Sequence, residues 1–430
     1  MPTTRRQFIK RGASAVSLSL LLPRFLTTEA LGQEAAAAGD RKILVVIQLG
    51  GGVDGLNTLI PFTDSRYLSL RPNLAFRDTD VGATMLDSTF ALHPAMTAIK
   101  GLYDAGKVAI VRGVGYQNSS LSHFLGTDIW MTANTNGGAG NGWLGRYADQ
   151  VLYGKSGLQA AALGGQLPKA FFADKMVVPS ISNFATYTFQ TDPRFNGDRN
   201  NQLNTFNADN NRGLPTDTFL GALASTGSDA VAGAAEVQAA IATYQTAPGV
   251  TYPAGTPPNQ LAPFLKMAAQ LITTIPDANL LWVSLGGFDN HSDQIGDDED
   301  RDNKLIGDHS RLLGWFSEAV KAFYDDLAGH GLADRTLMMT FSEFGRRPNE
   351  NASFGTDHGT SNCLFVMGDP VRGGMLGEQP SLAVSELDSA GNMKPKVDFR
   401  SVYAEVLDKW LGVSSRTILG ADYPSLGFLP

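Results

Sequence analysis

Apolar residues along this chain gather in short runs, separated by longer glycine-rich or polar stretches. The run 43–49, ILVVIQL, is β-branched and too short for a buried helix. It predicts a strand buried on both faces, running into the glycine-rich turn 50–55. From His93 to Gly106 the apolar positions Met96, Ile99, Leu102 and Tyr103 recur at helical spacing. Residues 108–111 predict a short strand and 113–118 a loop. A helix is expected from Ser119 or Ser120 to about Met131, because serine is a favoured N-cap. The segment at about 150–255 is rich in Gly, Ala, Asn and Thr and has weak periodicity. We read it as an irregular insertion that caps a site. Regular alternation then resumes: a helix over 259–275, a strand at 280–285 (LLWVSL), a helix over 304–327, strands at 336–341 (TLMMTF) and 363–367, and a closing helix over 399–411 ended by Gly412. This alternation predicts an α/β domain over 41–430, with a mostly parallel sheet and helices on both faces. No internal repeat is present.

Composition narrows the function classes. The 430 residues are 43% hydrophobic and 18% charged, which suits a globular core. The net charge is −8. Without the five basic residues and one acid of the first 32, the remainder holds 29 basic against 41 acidic residues, a net −12. Such a chain is a poor general binder of nucleic acid or anionic membrane. The single cysteine, Cys363, opens the apolar run CLFVMG and reads as a structural thiol; it allows no internal disulfide. Residues 1–32 read as an export segment: Thr4-Arg5-Arg6-Gln7-Phe8-Ile9-Lys10 resembles a twin-arginine signal, a moderately apolar stretch follows, and Ala30-Leu31-Gly32 offers a cleavage site. Residues 33–40 read as a linker. The expected product is periplasmic or extracellular, handled by the twin-arginine translocase during export and without a stable membrane span, since no later apolar run reaches eighteen residues.

In a sheet of this kind ligands gather at the carboxyl ends of the strands. The first strand is followed by GGGVDGLN, with Asp54. LLWVSL is followed by GGFDNH, with Asp289 and His291. TLMMTF is followed by SEFGR, with Glu343 and Arg346, and GTDHG with Asp357 and His358 comes a little later. The strand at 108–111 leads to a loop and helix start holding Ser119, Ser120, Ser122 and His123. Converging carboxylates repel unless a cation neutralises them. Mixed Asp/His sets suit zinc or another transition metal, and all-oxygen sets suit magnesium or calcium. A hydroxyl at a helix start adds the positive end of the helix dipole, which favours phosphate or sulfate. Arg346 would add a bidentate anion contact. The spacing Gly50, Gly52, Gly55 also satisfies a dinucleotide-binding pattern. However, Asp54 sits where phosphates need amide donors, and Pro61 interrupts the helix such a loop should open. An exported oxidoreductase with a nucleotide cofactor therefore stands last among the readings.

Together these motifs resemble domain-of-unknown-function family 1501, exported bacterial proteins similar to the alkaline phosphatase and sulfatase superfamily. The resemblance rests on the twin-arginine segment, GGxDGLN, SHF, GGFDNH, SEFGR, GTDHG and the ending DFRSVYAEVLDKWLG, and covers about 41–430. It implies a three-layer α/β/α sandwich with divalent metal ions (zinc, calcium, magnesium or manganese) at the carboxyl edge. By position, Asp54 looks like the first-strand metal ligand. Ser122 looks like the helix-start nucleophile, with Ser119 and Ser120 as rivals and His123 beside it. Asp289 and His291 resemble the ligands of one metal, and Asp357-His358 the pair that binds another; Glu343 ends its strand where such a pair is expected. No histidine follows His358, and no Cys/Ser-x-Pro-x-Arg sequence lies near Ser122. The resemblance implies a metal-dependent hydrolase of phosphate or sulfate esters, or a non-catalytic metal-binding or scaffold relative at the cell envelope.

Overall fold

The computed structural model describes residues 41–155, 157–187, 234, 237–296 and 303–430. The expected export segment and linker, and the middle of the expected insertion, lie outside the described residues. Among the described residues, nine strands form one sheet: β1 (Ile43–Leu49), β2 (Val108–Gly115), β3 (Ala160–Leu163), β4 (Ser180–Ile181), β5 (Leu280–Leu285), β6 (Thr336–Phe341), β7 (Asn362–Met367), β8 (Gly374–Leu376) and β9 (Val397–Asp398). Their order is β8-β2-β7-β6-β1-β5-β3-β4, with β9 also pairing to β2. Every pairing is parallel except those of β7, which runs antiparallel to both β2 and β6.

Alternation along β1 decides the layering. Ile43, Val45 and Ile47 enter one apolar cluster, and Leu44 and Val46 enter another. Successive strand side chains point to opposite faces, so the sheet is covered on both. On the first face lie α1 (Thr97–Asp104), α4 (Ala262–Thr274) and α5 (Asp308–Gly329); on the other lie α2 (His123–Thr132), α3 (Trp143–Tyr147) and α6 (Phe399–Glu405). The molecule is therefore the mixed α/β sandwich with a mostly parallel sheet that the sequence predicts. Helix α5 shows why: Leu312, Leu313, Phe316, Ala319, Val320, Phe323 and Leu327 are buried at three- and four-residue steps.

The expected insertion is corrected in part. Its described portion adds β3 and β4 to the sheet, so it is not only a cap. Residues near 244–252 are tied to α5 by the buried Asp326, which accepts hydrogen bonds from Tyr244 Oη, Tyr252 Oη (2.8 Å) and Ala247 N–H (2.8 Å).

The C-terminal segment is held by one carboxylate. Glu405 accepts from Leu426 N–H (2.5 Å), Gly427 N–H (2.8 Å), Leu429 N–H (2.8 Å) and Ser425 Oγ (2.9 Å). Burial alone would raise its pKa; these hydrogen bonds outweigh burial and hold it below the ordinary carboxylate value. Because the folded value is depressed, protonation favours unfolding. The stabilisation is present above the unfolded value of about 4.3 and is lost as pH falls through the folded one. Glu405→Ala is expected to cost about 2–4 kcal/mol, since it leaves the buried N–H of Leu429 and the part-buried N–H groups of Leu426 and Gly427 unpaired. Denaturant titration at pH 7 and pH 3 checks this: wild type and variant should differ at the higher pH and approach each other at the lower.

Candidate metal centre

The parallel strands deliver their loops to one edge, and β7 explains the remainder. Because β7 runs the other way, the residues that precede it arrive at the same edge as those that follow β5 and β6. A short antiparallel pair, Gly345–Arg346 with His358–Gly359, brings the chain back before β7 begins. Loops from three strands and the first turn of α2 thus meet.

Four side chains converge there. His291 Nε2 lies 2.9 Å from His358 Nε2. Asp289 Oδ1 lies 3.0 Å from His358 Nε2 and 3.1 Å from His291 Nε2, and Asp289 Oδ2 lies 3.3 Å from His123 Nε2. Ligand atoms of His123, Asp289 and His358 all fall within 4.8 Å of one another. Each imidazole is backed by an acceptor on its other nitrogen. His358 Nδ1 faces the Leu121 carbonyl at 2.8 Å, His291 Nδ1 faces Asp357 Oδ1 at 3.2 Å, and His123 Nδ1 faces Glu343 Oε1 at 3.0 Å. A carbonyl or carboxylate oxygen only accepts, so these partners assign the proton to Nδ1 in each neutral ring. Each Nε2 then presents a lone pair toward the Asp289 carboxylate, His291 and His358 at Oδ1 and His123 at Oδ2. Three lone pairs and an anion at this spacing repel one another unless a positive charge lies between them. Atoms about 2.0 Å from a tetrahedral centre stand about 3.3 Å apart, close to the spacings among Asp289, His291 and His358. The donor set therefore fits a divalent ion.

The surroundings fix this geometry. Phe344 packs its ring 4.4 Å from His358 and 4.9 Å from His123, centroid to centroid. Asn351 Nδ2 donates to the His291 carbonyl (2.9 Å) and to Asp357 Oδ1 (3.2 Å). The asparagine bond and the one from His291 hold the Asp357 carboxyl below its usual range against a smaller effect of burial. For Asp289 burial acts upward, and the contacts with His358 and the Arg346 guanidinium outweigh it, so this carboxyl too is held low. Glu343 is buried; its Oε1 also accepts from Gly51 N–H at 2.9 Å, while Oε2 has no partner among the described residues.

Several expectations change. Asp54 was expected in this cluster, but its buried carboxylate is turned elsewhere. Arg71 Nη1 and Nη2 grip it at 2.5 and 2.9 Å, Gln294 Nε2 donates at 2.6 Å, and Leu56 N–H donates at 3.2 Å across a helix N-cap. An arginine already neutralises it, so it is a structural anion. Arg346 was expected to contact substrate anions. It is 1% exposed, and its guanidinium donates to the carbonyls of Gly51, Gly52 (2.6 Å), Phe288 (2.9 Å) and Thr356 (2.7 Å) and to Asp289 Oδ1 (2.8 Å). It organises the loops instead of meeting solvent. The two Asp/His pairs were expected to serve two metals. They meet at one point, where Asp357 orients His291 and His358 joins Asp289. His123, read as a member of the catalytic set, lies against Asp289 and Glu343; nothing in its SHF context reveals that, because these partners lie more than 160 residues away in the chain. His309 lies buried on α5, where burial lowers its pKa to about 4, and stays outside the cluster.

Ser122 is the N-cap residue of α2 and is exposed, and its hydroxyl does not cap the helix. Its rivals are occupied in the preceding turn: Ser119 Oγ donates to the Tyr116 carbonyl at 2.5 Å, and Ser120 Oγ accepts from Ser122 N–H at 3.2 Å. The glycine turn after β1 also resolves. Gly51 and Gly52 have φ of +119° and +78°; a Cβ on the first would lie 2.5 Å from Asp289 N, and on the second 2.3 Å from the Phe344 ring. These glycines permit close approach of the site loops. Two of the turn's amides are taken, Gly51 N–H by Glu343 and Val53 N–H by Ser342 Oγ (3.0 Å), and only one helical turn (Gly55–Thr58) follows. A pyrophosphate would find these donors occupied and no long helix, which weakens the nucleotide reading.

Comparison with known proteins places the chain. The family model described as "Protein of unknown function (DUF1501)" matches residues 41–420. No curated protein matches the chain significantly in sequence. Among solved structures, the C-terminal periplasmic domain of EcEptC from Escherichia coli, in complex with zinc, is similar at 10% identity and TM-score 0.35, over 77% of this chain and 74% of that one. A protein in the alkaline phosphatase superfamily from Vibrio parahaemolyticus is similar at 12% identity and TM-score 0.35, over 86% and 71%. The lipoteichoic acid synthase LtaP from Listeria monocytogenes is similar at 9% identity and TM-score 0.33, over 83% and 71%.

Proposed function

The chain belongs to the DUF1501 family, and we propose that it is an exported, metal-dependent hydrolase or transferase of phosphate or sulfate esters. The observation that carries this reading is the convergence of His123, His291 and His358 through Nε2 on Asp289, each ring backed by an acceptor on Nδ1. These four residues would hold the ion. Three nitrogens and one carboxylate favour zinc or another transition metal over calcium or magnesium. When bound, such an ion supplies Lewis-acid stabilisation of an ester's anionic oxygen.

The chain's own groups support the ester assignment. Ser122 presents an exposed hydroxyl at the start of a ten-residue helix, beside His123. The first-turn N–H groups of that helix favour a negatively charged group. Ser122 Oγ would attack the ester's phosphorus or sulfur as the alcohol leaves and its own proton passes to solvent, and would carry the covalent intermediate that water, or a second alcohol, then removes. Export rests on the twin-arginine-like segment; among the described residues no helix is long and apolar enough to cross a membrane.

A second reading keeps the metal and drops the chemistry: a metal-binding or scaffold protein of the envelope. It is favoured by the absence, among the described residues, of a base hydrogen-bonded to Ser122 Oγ. Metal analysis of the purified protein, followed by assay on chromogenic phosphate and sulfate esters, separates the two. Turnover that disappears in Ser122→Ala with metal retained supports the esterase reading; full metal occupancy with no turnover on any ester supports the second. Asp357→Ala should leave the fold intact and weaken metal affinity about 10–100-fold, because it frees the His291 ring from its backing carboxylate. Competition with a colorimetric chelator measures this, and unchanged affinity would count against Asp357 as the orienting group.

A further inference from the structure

Beside the metal centre, the same sheet edge holds a cavity of about 570 Å3 that the site chemistry does not use. Its floor is the end of β1 and β5, with Gln48, Trp282 and Ser284. One wall is α2, with Asp128, and the other is the segment after β3, with Lys169 and Phe172. Asp128 stands five residues after His123 on one helix, about 7.5 Å along its axis.

The lining selects among ligand classes. Lys169 Nζ and Asp128 Oδ2 pair at 2.7 Å, so the wall carries no net charge. Trp282 Nε1 donates to Ser284 Oγ at 3.1 Å, and Ser284 Oγ donates to Gln48 Oε1 at 3.2 Å. That chain leaves the Gln48 amide N–H groups without a protein acceptor among the described residues. Phe172 is 46% exposed, an aromatic ring standing at the rim. A purely apolar ligand would bury the amide and the ion pair without partners, which is unfavourable. An ionic ligand would meet a lysine and an aspartate that already neutralise each other. A neutral ligand bearing several hydroxyls satisfies the amide, the hydroxyl and the carboxylate while laying its C–H face on the ring. We propose that this cavity is a subsite for a neutral sugar ring. Its role as the holder of the alcohol part of the ester rests on the proposed function; sugar binding itself does not.

The test uses the mature protein with and without added zinc. Isothermal calorimetry with neutral tetrasaccharides of glucose, galactose and mannose should show at least one that binds in both states. Gln48→Ala and Phe172→Ala should each weaken it at least tenfold, and Phe172→Tyr should restore it. Binding by none of the three, or binding indifferent to both substitutions, overturns the proposal. So does preferential occupation by an anilinonaphthalene dye that the sugars fail to displace. Hydrolysis of chromogenic esters without sugar binding sinks the subsite and spares the proposed function. Sugar binding without hydrolysis of any ester does the reverse.

Discussion

Replacing Arg71 by methionine is expected to destabilise the protein by about 3–5 kcal/mol, the largest effect of any single substitution considered. Arg71 is fully buried, and its guanidinium joins three parts of the chain. It grips Asp54 in the turn after β1, Asn57 Oδ1 at 2.9 Å in the following helical turn, and the carbonyls of Arg347 and Pro348, each at 2.8 Å. Removing it strands a buried carboxylate, the buried carbonyl of Pro348 and the part-buried one of Arg347. Urea denaturation should show a lower midpoint with an unchanged slope. A loss below about 1 kcal/mol would show that the network is not what holds these loops. The double variant Asp54→Leu/Arg71→Met should recover much of the loss, because an apolar pair carries no desolvation penalty. Acid should reveal the same bond. Burial pushes the Asp54 carboxyl up, but Arg71 and Gln294 hold it below its ordinary value. Its contribution is thus complete above the unfolded pKa of about 3.9 and is lost as pH falls through the folded one. Metal content of the folded fraction should be unaffected by Asp54→Asn, which separates a structural anion from a ligand.

His358→Ala is expected to abolish metal-linked stabilisation and, with it, turnover. The imidazole is the hub of the cluster, in contact with Asp289 and His291 and packed against His123. Wild-type protein at zinc one-hundredfold above its dissociation constant should gain about 2.7 kcal/mol; the variant at the same concentration should gain almost nothing. Without added metal the variant should be no less stable than wild type, because the substitution removes one of the mutually repelling lone pairs. Thermal melts with and without zinc measure both quantities. An equal zinc-dependent shift in the two proteins would remove His358 from the metal centre.

Much of the fold is legible because hydrophobic periodicity is a local property. The strands 280–285 and 336–341 occur at the positions the pattern predicts, and helix ends moved by only a few residues. The site was partly legible for the same reason. Once strands are assigned, the polar residues at their carboxyl ends are known to share an edge, and Asp289, His291, Glu343, Asp357 and His358 do share it. Their division of labour was not legible. Whether Asp357 touches a metal or the back of His291 depends on a few ångströms of loop path, which no spacing encodes.

Asp54 marks the boundary most clearly. Its sequence context, a carboxylate in a glycine turn after a buried strand, is the same for a metal ligand and for half of an ion pair. Only the tertiary structure shows that Arg71 is enclosed with it, since a buried charge is defined by what shuts out water around it. The antiparallel course of β7 was equally hidden: apolar runs carry no direction, yet that direction puts His358 beside Asp289. The sequence by itself determined the layers, the strands and the edge where chemistry gathers, because burial of apolar faces follows a short period along the chain. Which polar groups at that edge face one another is set by the fold, because those contacts join residues from about 66 to more than 200 positions apart.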